Sequence, residues 1–264
     1  MPRRIAAALA LTLLVVGGTA DAKGKKPGPA KRRSAPAAGG HKPRGKAVFL
    51  PDWAEHPATK YGALGVEECL AELDRRHVRY VRVAQAPGVL VPVRLLGDVG
   101  GVVYRTETPP AVRAKNPFDV FDCRLVVALH DFSEILRAHD IDEVLMFSAW
   151  RPPSKHWPEG KLGTRHPGAL AIDAFRFGKR KTAEGERSWL SVDDDFEGAL
   201  GAPVCAGDAL GPGASPEARE LRAITCEAAE RHIFTSMLTP NFDRPHNNHL
   251  HLEITPNVKW TLLR

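Results

Sequence analysis

Residues 166–177 read His-Pro-Gly-Ala-Leu-Ala-Ile-Asp-Ala-Phe-Arg-Phe, and residues 249–254 read His-Leu-His-Leu-Glu-Ile. From Ala169 to Phe177, and again from His249 to Ile254, the alternating pattern is that of a strand with one face against a core. On the second stretch Leu250 and Leu252 face inward, and His249 and His251 share the opposite face. Elsewhere the period becomes helical. Arg124 to His139 carries Leu125, Val126, Leu129, Phe132, Ile135 and Leu136 at i, i+3, i+4 spacing, and Pro216 to Ile233 is amphipathic with Pro in its first turn. Residues 63–76 have the same helical spacing, Val78 to Val83 alternates as a short strand, and residues 88–106 suggest short strands broken by Gly and Pro. Val144 to Trp150 reads as a buried strand ended by Pro152-Pro153, followed by a polar loop over 154–165. Gly178-Lys179-Arg180 reads as a turn leading into a long insertion. Asp193-Asp194-Asp195 in that insertion lacks the Gly and Glu offsets of a calcium loop and reads as solvated. Together these elements predict an α+β domain, with helices packed on one face of an antiparallel sheet.

The polar residues of the two alternating stretches suggest a metal site. His166 lies just before the strand that carries Asp173, so one loop and one strand aim both groups at one point. His251 completes a set of two histidines and one carboxylate, which leaves a fourth position open as catalytic zinc sites do. The metal candidates are therefore His166, Asp173 and His251. His249, two residues before His251, is a candidate base or orienting group, and His246, after Pro245, is a secondary candidate for the same role. Each spacing alone is weak, since eleven histidines in 264 residues make chance pairs common.

The chain begins with Arg3-Arg4, an apolar run from Ile5 to Val16, and the small-x-small site Ala20-Asp21-Ala22. That layout predicts a signal peptide over 1–22, cleaved after Ala22, and hence a secreted or periplasmic protein; the run is too short to span a bilayer. Residues 23–46, rich in Lys, Arg, Pro, Gly and Ala, read as a disordered basic linker before a domain over 47–264. Residues 1–46 hold 11 Lys/Arg and one acid; with a whole-chain charge of +6, the remainder is net −4. The basic linker thus suits loose contact with an anionic envelope polymer, and the acidic body of an exported protein argues against a nucleic-acid partner. Four cysteines in an oxidising compartment favour disulfides. Of the three connectivities, Cys69–Cys123 with Cys205–Cys226 is preferred, since each pair would staple one half of the domain.

Ser148-Ala-Trp-Arg151, Thr164-Arg-His-Pro-Gly-Ala-Leu-Ala-Ile-Asp173 and His249-Leu-His-Leu-Glu253 resemble the motifs of the LAS metallopeptidases, which include D-Ala-D-Ala peptidases and murein endopeptidases. From about Cys69 to Glu253 the chain is more closely similar to the extensin-like C-terminal domain family of bacteria, above all over Leu221–Cys226, Phe234–Asn241 and His246–His251. The resemblance implies a LAS-like zinc fold, with Zn2+ held by His166, Asp173 and His251. It also implies a polarising or basic His249, and Arg151 as the group that stabilises the tetrahedral intermediate. The activity implied is hydrolysis of an amide bond in peptidoglycan peptides by a metal-activated water; the alternative is a non-catalytic cell-wall binding protein that keeps the fold. Two departures stand out. The motif's Gly three residues after the first His is Ala169 here, with Gly168 one place earlier. Where that family often has a cysteine beside the arginine, this chain has Ala149-Trp150.

Overall fold

The computed structural model describes residues 48–49, 52–207 and 210–264; the expected signal peptide and linker lie outside these residues. Along the chain the elements are β1 (Val48–Phe49), α1 (Pro57–Ala63), α2 (Val66–Arg75), β2 (Tyr80–Arg82), β3 (Pro92–Leu95) and β4 (Val103–Arg105). There follow α3 (Pro110–Arg113), β5 (Phe121–Asp122), α4 (Cys123–Ala138), β6 (Ile141–Met146), β7 (Ala171–Lys179) and β8 (Trp189–Ser191). The chain closes with α5 (Val192–Asp195), α6 (Pro216–Glu230), β9 (Ser236–Leu238), β10 (Leu250–Glu253) and β11 (Trp260–Leu263). The class is α+β. The main sheet runs β1-β11-β9-β10-β7-β6-β4, with β8 also on β7, and β2-β3-β5 form a second small sheet.

The sheet is mixed rather than antiparallel, because β4 lies parallel to β6 and β11 parallel to β9. Both parallel neighbours join strands far apart in sequence, which leaves room for the crossover that parallel pairing demands.

The central helix is α4. Asp122 caps it by accepting from the Arg124 N–H at 3.0 Å, and Leu125, Val126, Leu129, Phe132, Ile135 and Leu136 are buried. It packs on α1, α2, α6 and β6. Each such side chain contributes about 1.5–3 kcal/mol when fully buried, so this stripe anchors the fold. Both preferred disulfides are present. Cys69–Cys123 ties α2 to the first residue of α4 across 54 residues, and Cys205–Cys226 ties the insertion to α6 across 21. Loop-closure entropy gives about 4 and about 3 kcal/mol respectively. Among the described residues no helix is long and apolar enough to cross a membrane.

Several sequence-based boundaries move. The expected helix over 63–76 splits, because Leu64 and Gly65 are extended and Gly65 starts α2, its N–H donating to Glu68 at 3.0 Å. The strand expected over 144–150 runs 141–146 instead, beginning directly after the tight turn at Asp140 (φ +56°). Gly178 and Lys179 remain in β7 rather than turning: a Cβ at Gly178 would meet Arg187 Nη1 at 2.7 Å, so the glycine admits Arg187 and Trp189 against the strand. Asp193–Asp195 form one helical turn, with Asp195 accepting from the Ser191 N–H at 2.7 Å. The helix from Pro216 stops at Glu230.

Candidate functional site

Register builds the centre of the site. In the antiparallel pair β7–β10, His251 lies directly opposite Asp173, so both side chains rise from the same face of the sheet. His249 and Glu253 flank His251 on that face, two residues to either side. Beyond the end of β6 the chain still pairs with β7 at this level: Phe147 N–H donates to the Asp173 carbonyl (2.9 Å), and Asp173 N–H to the Ser148 carbonyl (3.2 Å). Asp173 is therefore held by hydrogen-bonded neighbours on both sides.

His166 arrives differently, on a loop. Its approach depends on a close backbone crossing: a Cβ on Gly163 would sit 2.5 Å from Pro167 C, and one on Gly168 2.3 Å from Gly163 O. Arg165 and Ala169 on either side of the turn have φ of +52°. Ala169 occupies the place where the resembling motif has glycine, and its left-handed backbone (ψ 30°) gives the physical reason glycine suits that place. Thr164 contributes to the loop through its carbonyl, which accepts from Gly168 N–H at 3.3 Å.

The chemistry converges on one carboxylate oxygen. His251 Nδ1 stands 2.9 Å from Asp173 Oδ1, His166 Nε2 3.1 Å and His249 Nε2 3.4 Å. Arg151 donates to the other oxygen, Oδ2, and through Nε to Ser148 Oγ at 2.9 Å. Asp173, His166, His249 and His251 are all buried, whereas the Arg151 side chain is half exposed. His246 belongs to the cluster as well, its ring 5.1 Å from that of His249 and 5.8 Å from that of His251. It is part-buried and held at Nδ1 by Asp243 (2.6 Å) rather than lying free in a surface loop. All six sequence candidates thus meet. Arg151, expected at a strand end, sits five residues past β6, and its N–H donates to the His166 carbonyl at 3.1 Å.

Proton placement tests whether these residues suit a cation. Behind His166, Nδ1 faces the Ala149 carbonyl at 2.9 Å, and a carbonyl only accepts, so Nδ1 carries the proton. Behind His251, Nε2 faces Glu253 Oε2 at 3.2 Å, again an acceptor. In their neutral forms both histidines therefore turn a lone pair toward Asp173 Oδ1, acceptor against acceptor. A cation among them resolves that conflict, and the three candidate ligand atoms lie within 4.8 Å of one another. The donor set and the acceptors behind each imidazole are compatible with a bound metal ion.

Burial pushes the Asp173 carboxyl up, yet His166, His249 and His251 hold it well below the usual carboxylate range. Burial opposes charge on His251 too, but Asp173 and Glu253 raise its pKa above the ordinary value. Burial likewise raises Glu253, while bonds from His251 and Thr255 and the charge of Arg165 bring it below the usual range. His246 is lowered, chiefly by burial, against the pull of Asp243.

Searched against family models, curated proteins and solved structures, the chain has no match.

Glu253 is the site residue that sequence reasoning passed over, although its place two residues beyond His251 on an alternating strand was the available signal. Arg165, whose Nε is 3.5 Å from Glu253 Oε2, and the stacked rings of Phe147 and Phe175 (4.3 Å, 5° between planes) were likewise not singled out.

Proposed function

We propose that this chain is an exported zinc-dependent hydrolase, a relative of the LAS and extensin-like families, that cleaves an amide bond of peptidoglycan peptides. One observation carries the reading: His166 and His251 each commit their outer nitrogen to an acceptor-only oxygen and direct the other at Asp173 Oδ1. His166, Asp173 and His251 would hold the metal, whose Lewis acidity polarises a carbonyl and makes water nucleophilic at neutral pH.

The remaining roles belong to the protein. His249 Nδ1 faces Asn248 Oδ1 at 2.9 Å and donates to it, which leaves Nε2 to accept the proton of the attacking water. His246, shifted toward its neutral form, is the second acceptor beside it. Arg151 is anchored on Asp173 and Ser148, and its half-exposed guanidinium offers further N–H donors to the oxyanion of the tetrahedral intermediate. Two disulfides support an oxidising compartment, and the expected export signal adds the cell envelope as the place where such amides occur.

The test is elemental analysis of the mature protein beside His166→Ala, followed by digestion of purified peptidoglycan. About one zinc per chain, lost in the variant, together with released peptides, is the expected result. Zinc absent after reloading would sink the hydrolase, and zinc retained without released peptides would favour a wall-binding protein.

A further inference from the structure

The face that carries Asp173 and His251 has unlike ends. At one end Phe147, 41% exposed, stacks on Phe175 and meets the His249 ring edge-on at 5.6 Å. Phe175 lies two residues from Asp173 on β7, and so on the same face of the sheet. Arg176 Cζ lies over the Phe175 ring at 5.9 Å, and Phe147 is the more exposed ring of the pair. At the other end Glu253 accepts from His251 and stands 3.5 Å from Arg165, whose side chain is 68% exposed. Arg165 has φ +52° and ψ −138°, a conformation that costs a non-glycine residue of order 1–3 kcal/mol and is kept where the surroundings enforce it. The strained turn holds a cation at the rim, with one edge on a buried carboxylate and its other donors open to solvent.

From this arrangement we infer that the site binds its substrate in one direction, with an apolar group on Phe147 and a free carboxylate on Arg165. The inference rests on the proposed amide-hydrolysing site and names what that site selects. Phe147 and Arg165 are specificity residues here, distinct from Arg151, which points at Asp173 from the side. His249, just before β10, and Glu253, its last residue, are four residues apart, about 13 Å when extended. An acyl group followed by three residues spans a similar length, so the substrate class is a short acidic peptide with an apolar N-terminal part. A carboxylate at Arg165 gains a paired, bidentate contact of the kind guanidinium makes well.

The zinc-loaded full chain is titrated with N-benzoyl-Gly-Gly-Gly, its C-terminal amide and N-acetyl-Gly-Gly-Gly, all achiral. The free acid is expected to bind at least about tenfold more tightly than the amide, and the benzoyl peptide several-fold more tightly than the acetyl one. Arg165→Gln should erase the acid-over-amide preference alone, and Phe147→Ala the benzoyl-over-acetyl preference alone; both side chains are exposed enough for the variants to fold. Equal binding of acid and amide, a preference that survives in Arg165→Gln, or no binding of any probe at millimolar concentration overturns the inference. Peptidoglycan digestion by the same preparations separates the two ideas. Directional binding without hydrolysis defeats only the enzyme reading, and hydrolysis without directional binding defeats only this one.

Discussion

Asp131 and Asp173 are both part of buried or half-buried clusters, and both are held below the usual carboxylate range against the upward push of burial. Their neighbours differ in kind. Asp131, on α4, is met by groups with protons to give: Arg76, the residue that follows α2, and the Tyr61 hydroxyl from α1. It is complete as it stands and ties three helices together. Asp173 accepts from Arg151 on Oδ2, but around Oδ1 it faces ring nitrogens whose protons are engaged elsewhere. A carboxylate met by donors is a structural clamp; one met by lone pairs is what the proposed cation site calls for. The partners behind the histidines, rather than the histidines themselves, make the distinction.

The strongest way to break this comparison is to neutralise each carboxylate in turn. Asp173→Asn should bring bound zinc to background, a loss larger than the 10–100-fold that supporting residues produce. Asp131→Asn should keep one zinc per chain and lose about 2 kcal/mol in urea unfolding, since the amide has no charge and only one acceptor oxygen for Arg76 and Tyr61. A reversed outcome would mean that the roles are misassigned. Because the folded pKa of Asp131 is depressed, its stabilisation is present above the unfolded value near 4 and is lost as pH falls below it. Acid titration of the metal-free protein should therefore show a shallower fall for Asp131→Asn than for the unaltered chain.

Glu253→Gln sharpens the comparison at the next level. Gln can offer a hydrogen-bond acceptor to His251 but no charge, so zinc affinity should drop about 10–100-fold with the fold unchanged in circular dichroism. Unaltered affinity would show that the proton on His251 Nε2 is set by something other than Glu253. The smallest expected effect is at Ala169→Gly. Relief of the left-handed alanine is offset by the greater freedom of the unfolded glycine and the loss of a buried methyl, leaving stability within about 1 kcal/mol and zinc binding intact. A large change in zinc affinity would mean that Ala169 itself sets the position of His166.

Local pattern carried much of this in advance. The alternation of 169–177 and 249–254 and the helical stripes of 124–139 and 216–233 correspond to β7, β10, α4 and α6 within a few residues. Residues 236–238 escaped because all three are buried and show no alternation, and 260–263 because none is strongly buried or exposed. What lay beyond reading was register. Nothing in the separate stretches says that position 251 lands opposite 173, since that pairing depends on where the whole chain between them folds back. Arg165 and Phe147 were hidden for another reason: a loop arginine, or a phenylalanine inside a strand expected to be buried, is ordinary until its neighbours are known.

The crossing of Gly163 over Pro167 and Gly168 acts as a neck. The excursion before it is exposed and keeps its own order, with Trp157 Nε1 bonded to the Lys161 carbonyl at 2.7 Å and the Lys161 ammonium 4.7 Å from the same ring. Strain or added length in residues 154–162 should therefore end at that neck, short of His166. For protein engineering this is the natural port in the molecule: an epitope, a fluorophore attachment site or a shortened loop grafted there leaves the histidine where it was.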